Sequence, residues 1–308
     1  MQLLGKIGIV VIKLSLRYSE KRRIKLTKLQ QKQIQKLYEN AAADIAKELA
    51  TIPNTTSNLL RQQYLYGIQR QIDGALRDIR NDLGETIQDN MKDVSEAVVK
   101  DNVNFLRRVG MPIEGAFSHV PDRIVKIVAT GQLYEGDWTL SKALWRSTRK
   151  TQQDVRVVIA QGIAQNKSAY EIAKDLEKYV NPTAKKAWDW SKVYPGTTVK
   201  VDYNAQRLAR TMVSHAFQQS FVETTKKNPF VTKYQWVSSN SARVCPICAD
   251  RDGQLYEKDD LPLDHPNGMC TFIAVIEDSM VTIADRIADW ALGSSDPELD
   301  TFAHSLGE

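Results

Sequence analysis

The chain has 308 residues, and its 42 lysines and arginines against 37 acids give a formal net charge of +5. This length accommodates two domains with hydrophobic cores, and the mild positive charge is not that of a dedicated DNA-binding domain. All three cysteines lie between residues 245 and 270, which argues against an extracellular disulfide framework. The apolar run from Ile7 to Ile12 is too short for a signal peptide or a membrane span, so we expect a soluble protein without membrane association.

The N-terminal region combines a basic segment with a helical pattern. Eight lysines and arginines lie between Lys13 and Lys32, and only Glu20 opposes them. One interpretation is a solvated helix face; the other is contact with phosphate groups or an acidic partner. The candidate contact residues are Arg17, Lys21, Arg22, Arg23 and Lys25. Apolar residues at helical spacing predict a helix over 26–50, ending before Pro53.

A long apolar stripe follows in the proline-free region between Pro53 and Pro112. Its residues Ile72, Leu83, Val94 and Phe105 recur every eleven positions, which is close to three turns of a straight α-helix. The stripe predicts one long helix, or two helices joined near Gly84. Such an element suits an extended structural protein, with the stripe serving core packing or a helical partner interface.

The middle of the chain predicts shorter helices. A looser region is expected from Gly110 to about residue 133, followed by a helix that begins near residue 140 and a second helix over 151–165. Ser168 and Glu171 form a capping box for a helix over 169–180. Residues 181–201 contain Trp188 and Trp190 and predict a linker.

The C-terminal part mixes helices and short strands. A helix is predicted over 203–228, and His215 on it is expected to be a hydrogen-bonded core histidine, or a substitute ligand if the metal site described next fails. Strands are predicted over 231–237, 254–256 and 271–276. A last helix over 280–292 ends at Gly293, and the tail 294–308 is expected to be polar and to fray or dock on a partner.

Three cysteines and a histidine form the clearest chemical motif. Cys245, Cys248, His265 and Cys270 are spaced as Cys-x2-Cys-x16-His-x4-Cys. A Cys-x2-Cys knuckle turns two thiolates toward one point, and a second pair about 15–20 residues later can complete a tetrahedral zinc shell. We therefore predict one structural Zn²⁺ held by these four residues. A redox dithiol and inert, partly buried thiols are the alternatives.

Several segments of this region also occur together in a known family. They are Ala209-Arg210-Thr211, Trp236, Cys245-Pro-Ile-Cys248, Asp252-Gly253, Leu261-Pro262 and His265-Pro266-Asn267-x-x-Cys270. In this combination the chain resembles the C-terminal module of the Mu F-like minor head proteins, or head morphogenesis proteins, of tailed bacteriophages. The resemblance covers roughly residues 130 to 280. The family motif usually ends His-Pro-Asn-Cys-Arg-Cys, where this chain has Gly268 and Met269.

The resemblance implies a structural protein of the virion head interior, present in the host cytoplasm during assembly. The implied partners are the portal protein and the major capsid or scaffold protein, with packaged DNA as a further partner of the basic N-terminal segment. No catalytic residue is expected. The alternative functions are a zinc-supported HNH-type nuclease with His265 as general base, and a DNA-binding protein.

These patterns together predict a mainly α fold, with an elongated helical N-terminal body and a small α+β C-terminal zinc-knuckle module. The expected divisions are a basic and long-helix region over 1–130, a helical middle region with a Trp-rich linker over 131–200, the Mu F-like module over 201–293, and the polar tail over 294–308.

Overall fold

A computed structural model describes residues 17–49, 58–111, 115–165, 167–180, 202–239 and 244–306. The described chain is mainly helical, with a small three-stranded antiparallel sheet in its C-terminal part. Both features were predicted, whereas the linker over 181–201 and the run from Ile7 to Ile12 lie outside the described residues. The elements are α1 (Arg17–Leu49), α2 (Asn58–Arg108), α3 (Val120–Thr130), α4 (Leu140–Ala164), α5 (Ala169–Val180), α6 (Tyr203–Thr225), β1 (Val231–Val237), α7 (Pro246–Arg251), β2 (Leu255–Tyr256), β3 (Thr271–Ile276), α8 (Met280–Ala291) and α9 (Pro297–Leu306).

The chain forms two compact units. The first is drawn from Met1–Thr27, Gln88–Leu133 and Arg210–Glu308, and the second from Lys28–Ile87 and Tyr134–Ala209. All four predicted zinc ligands belong to the first unit. The division of the chain at residues 130, 200 and 293 remains a prediction.

Helix α2 is continuous over 51 residues, so the predicted stripe lies on one helix and Gly84 is inside it. Leu83 and Val94 are fully buried, and Ile72 is almost so. A Cβ on Gly84 would lie only 3.2 Å from Leu144 Cδ1 of α4. Close packing at this position explains a glycine in the middle of a helix, where it costs stability relative to alanine.

Two predictions for the middle region are wrong. The expected looser region contains helix α3, which has Pro121 in its first turn and buries Val120, Ile124 and Val128 at intervals of four residues. This spacing is a helical signal, and proline is well tolerated in a first turn. The two helices expected between residues 140 and 165 are one helix, α4, whose N-cap Thr139 accepts a hydrogen bond from the Lys142 amide.

The capping box of α5 is confirmed. The Ser168 amide donates to Glu171 Oε2 at 2.8 Å, and the Glu171 amide donates to Ser168 Oγ at 3.3 Å. Each side chain thus satisfies a backbone amide that has no partner within the helix.

The tail is not a fraying polar segment, which corrects that prediction. Residues Pro297–Leu306 form α9, and Leu299, Phe302 and Leu306 on this helix are buried. The Phe117 amide donates to the Leu306 carbonyl oxygen at 3.1 Å. The apolar residues recur at intervals of three and four, so the polar residues between them mark the outer face of an amphipathic helix.

The sheet has the order β2-β1-β3, and both pairings are antiparallel. Strands β1 and β3 have the predicted bounds. Trp236 pairs with Phe272, and their rings pack edge to face with centroids 5.3 Å apart. Val237 pairs with Thr271, so the sheet brings together the two ends of the chain segment that carries the cysteines.

Candidate metal centre

The Cys-x2-Cys segment begins the short helix α7. Pro246 occupies the first turn, and Cys245 is the N-cap residue, with Sγ accepting a hydrogen bond from the Cys248 amide at 3.4 Å. Proline suits this position because its missing N–H would have no helical partner. The cap therefore directs the Cys245 sulfur toward the first turn, next to Cys248.

Candidate ligand atoms converge in two overlapping groups among the described residues. Cys245, Cys248 and His265 form one group, and Cys248, Asp264 and Cys270 form the other; within each group the ligand atoms lie within 4.8 Å of one another. The structure thus brings together three of the four predicted ligands, and the fourth, Cys270, joins them through Cys248. Asp264 was not predicted from the sequence.

The spacing of the first group suits zinc. Cys245 Sγ lies 3.3 Å from His265 Nε2, and a tetrahedral zinc ion with Zn–S of about 2.3 Å and Zn–N of about 2.0–2.1 Å separates such atoms by about 3.6 Å. His265 Nδ1 lies 3.1 Å from the Pro266 carbonyl oxygen. A proton on Nδ1 satisfies this contact and leaves the Nε2 lone pair directed at the group, as in many zinc-bound histidines.

The electrostatics of the thiols show what a bound cation would have to overcome. Burial raises the pKa of the Cys248 and Cys270 thiols, whereas the hydrogen bond from the Cys248 amide lowers the pKa of Cys245. Buried thiols stay neutral unless a positive charge compensates the thiolate, and a coordinated metal ion deprotonates its thiol ligands. Thiolate and imidazole donors fit zinc better than the hard cations magnesium and calcium.

A tight turn connects His265 to the last cysteine. The Gly268 amide donates to the His265 carbonyl oxygen at 2.9 Å, and Asn267 has a φ of 71°. Proline at the second position and a positive φ at the third are the features of a type II β-turn, and asparagine tolerates that φ better than most residues. Pro266 and Asn267 are therefore explained by the local backbone geometry of the turn.

The segment 264–270, which carries His265 and Cys270, is called the ligand loop. Helix α6 holds it with a buried polar face, which was not recognised in the sequence. The Asn267 amide donates to Thr211 Oγ1 at 2.8 Å, and three α6 side chains bind the carbonyl oxygens of the loop: Ser214 that of Gly268 at 3.0 Å, His215 that of Asp264 at 3.0 Å, and Gln218 that of Cys270 at 2.9 Å. The only signal in the sequence is the i, i+3, i+4, i+7 spacing of the four residues.

His215 is a buried, hydrogen-bonded histidine and belongs to neither ligand group. Its Nε2 faces a carbonyl oxygen, so this nitrogen carries the proton. Burial lowers its pKa, which keeps the ring neutral near pH 7. The structure agrees with the expectation of a core histidine.

The predicted basic contact residues lie in different environments. Arg23 is 4% exposed and donates to the carbonyl oxygens of Met269 and Cys270 at 3.2 and 3.3 Å. Arg22 is paired with Asp93 through Nε at 2.8 Å. Lys21 and Lys25 are exposed, while Arg17 begins α1 and its side chain lies outside the described part of the chain.

A known family matches part of the chain. Residues 153–272 match the family model described as Phage Mu protein F like protein. This stretch of the chain is similar to the Mu protein F-like family. The match includes α6, β1, both ligand groups and the first two residues of β3, which confirms the resemblance identified in the sequence.

The Mu F-like family indicates a phage head morphogenesis protein, located in the virion head. Its members are structural head proteins, which is consistent with the expected lack of a catalytic role. No significant match to the chain is found among curated proteins or among solved structures. Among the described residues, no helix has an apolar stretch long enough to cross a membrane.

Proposed function

We propose that this Mu F-like protein is a structural minor head protein whose C-terminal module is fastened by one Zn²⁺ ion. The proposed ligands are Cys245, Cys248, His265 and Cys270. The observation that carries the proposal is the convergence of these side chains in two groups that share Cys248. Four protein ligands make a closed site of the structural kind, without the open position that a catalytic zinc needs.

The segment between β1 and β3 buries little apolar surface of its own. Within its described part, the only regular elements are the six residues of α7 and the two of β2. Ile247 and Leu255, two of its larger apolar residues, are 61% and 56% exposed. Because few apolar side chains are buried, a metal ion bound across the segment would contribute much of its folding free energy.

The same geometry argues against a nuclease. His265 Nε2, the nitrogen that a general base would use, lies 3.3 Å from Cys245 Sγ. A histidine that donates this nitrogen to a metal has no lone pair left to accept a proton. The proposed function therefore has no catalytic step.

Zinc content tests the proposal directly. Native mass spectrometry of protein purified under reducing conditions should show one zinc per wild-type chain and none in Cys248→Ser, because Cys248 belongs to both ligand groups. His304→Gln, which changes an exposed histidine on α9, should retain the zinc. A wild-type protein that is fully reduced and takes up no zinc would refute the metal centre.

The head-protein role further implies that the protein acts on the inner side of the procapsid, next to the portal protein and the capsid or scaffold protein. The family match supports this proposal. Co-expression with the portal protein of the same phage should yield a complex that elutes with the portal ring. Elution of the two proteins at separate volumes under all salt conditions would contradict the proposed partner.

Packaged DNA is the further partner that we propose, through α1. Lys21 and Lys25 support this because they are exposed, whereas Arg23 is too buried to reach an external phosphate. Lys21→Gln with Lys25→Gln should weaken duplex binding and reduce the slope of log K against log salt by about 2, since each phosphate contact contributes about 0.9.

A matched control removes the same charge elsewhere. Lys126 on α3 and Lys174 on α5 are both exposed, and their double replacement by glutamine should leave the salt slope unchanged. An equal effect of the two double variants, or no duplex binding by the wild type, would refute a contact through α1.

A further inference from the structure

Gly268 lies between the proposed ligands His265 and Cys270, and its backbone does not explain why it is a glycine. Its φ is outside the left-handed region. A Cβ at this position, however, would overlap all three atoms of the Asp264 carboxyl group, well inside the 3.0 Å below which real contacts essentially never fall. The glycine is therefore required by space, and Asp264 occupies that space.

Asp264 connects the two downstream ligand residues. It is 3% exposed. Its Oδ1 accepts a hydrogen bond from the His265 amide at 2.9 Å, and its Oδ2 accepts one from the Cys270 amide at 3.0 Å. A carboxylate that accepts backbone amides forms bonds of the stronger, charge-assisted kind. One buried side chain thus sets the distance and orientation between the backbones that carry two ligands.

We propose that Asp264 and Gly268 form an interlocked pair that positions the His265 and Cys270 ligands, with Asp264 outside the coordination shell. The proposal rests on the zinc centre proposed above. Although Asp264 lies in one of the two ligand groups and its Oδ1 lies 3.9 Å from the Cys248 sulfur, each of its oxygens accepts a backbone amide, which directs the carboxylate into the turn. A carboxylate is also a harder donor than the three thiolates available. Asp264 is therefore a positioning residue.

The first test is zinc affinity, measured by competition with a chromophoric chelator. Asp264→Asn keeps one oxygen acceptor but turns an NH₂ group toward the second amide. We expect zinc to bind roughly 10–100-fold more weakly, which is the typical cost of losing an outer-shell partner. Asp260→Asn makes the same chemical change on an exposed carboxylate of the same module and should bind zinc as the wild type does.

The Co²⁺-loaded proteins show whether Asp264 is a ligand. If it only positions the others, the thiolate-to-cobalt and d–d absorption bands of Asp264→Asn should match those of the wild type, despite the weaker binding. Shifted bands would mean that a ligand has been exchanged and would overturn the positioning role. Wild-type zinc affinity in Asp264→Asn would overturn it as well.

The second test is a double-mutant cycle on the interlock. Gly268→Ala should weaken zinc binding by about 10-fold or more in the wild type, but should have little further effect in Asp264→Ala, where the carboxyl group has been removed. Such non-additivity is the signature of two residues in direct contact. Gly67→Ala, which adds a methyl group where nothing lies within 4 Å, should not change zinc affinity. Additive effects of the two substitutions would refute the interlock.

The two proposals fail in different ways. If the wild type binds no zinc, the metal centre is refuted. The urea midpoints of the wild type, Gly268→Ala, Asp264→Ala and the double variant still show whether the two substitutions are additive. If the wild type binds zinc and the cycle is additive, only the interlock is refuted. Asp264→Ser, which leaves the space open and keeps a hydroxyl acceptor, replaces Asp264→Ala if that variant does not fold.

Discussion

Arg23 offers the sharpest test of how α1 packs on the ligand loop. Its guanidinium donates to the carbonyl oxygens of Met269 and Cys270 and lies 4.3 Å from the centre of the Phe217 ring. Arg23→Met retains an apolar stem of similar length, and Arg23→Lys retains the charge. The two variants therefore separate the effect of shape from that of charge.

For Arg23→Met we expect a loss of about 1–3 kcal/mol in the free energy of unfolding, the cost of one unsatisfied buried polar group. Hydrogen bonds from a charged donor contribute about 1.5–3 kcal/mol each and a desolvated cation–π contact about 2 kcal/mol. Removing the buried charge also removes its desolvation cost of several kcal/mol, which offsets most of the loss of these hydrogen bonds and of the cation–π contact. Gln218 still donates to the Cys270 carbonyl at 2.9 Å, so Met269 alone loses its donor.

For Arg23→Lys we expect a larger loss than for Arg23→Met. The ammonium group is more strongly hydrated than a guanidinium, so it keeps the desolvation cost, and it cannot make the forked, stacked contact. Urea denaturation of the metal-loaded proteins measures both, with Lys25→Met, an exposed residue of the same helix, as the control. A stable lysine variant beside an unstable methionine variant would refute this reasoning, because charge alone would then be what the site requires.

Three other buried side chains should give measurable effects. Phe302→Ala should lower the free energy of unfolding, measured in urea, by about 3–5 kcal/mol. Replacement of the exposed His304 on the same helix by alanine should lower it by almost nothing, and equal effects would contradict the docking of α9. Tyr179→Phe removes a 2.6 Å hydrogen bond to the buried Asp154 carboxylate and should cost about 1.5–3 kcal/mol, so an unchanged midpoint would contradict that bond. Burial lowers the pKa of His215 in the folded state; the unfolded chain then binds the proton more readily, and stability should fall as pH drops below about 6.5. His215→Gln should flatten this loss, and an unchanged pH profile would show that another group causes it.

The elements that were predicted correctly carry their signals within a few residues. From Tyr234 onward, strand β1 alternates buried and more exposed residues, and the Ser168–Glu171 capping box closes within one helical turn. Such patterns depend on local backbone geometry, so they can be recognised without knowing the tertiary contacts.

The missed elements had weaker or conflicting signals. The looser region expected from Gly110 to about residue 133 contains α3, which has Pro121 in its first turn. Charged residues hid the apolar spacing of α9. In each case the decision between loop and helix came from burial against other elements, which propensity alone does not determine.

By itself, the sequence indicated the resemblance to the Mu F-like family, the mainly helical class and a cluster of candidate sulfur and imidazole donors, because residue spacing on a knuckle is a local property. Only the tertiary structure showed that α6 binds the ligand loop, that Arg23 is buried behind it and that Asp264 connects two ligand residues. The first two contacts join residues that are far apart along the chain: His215 and Asp264 are 49 positions apart, and Arg23 and Cys270 are 247 positions apart. The third, made by Asp264, depends on the path of a single turn. The spacing of polar residues along α6 places them on one helix face but does not identify their partners, since these depend on which buried polar groups meet once the chain has packed.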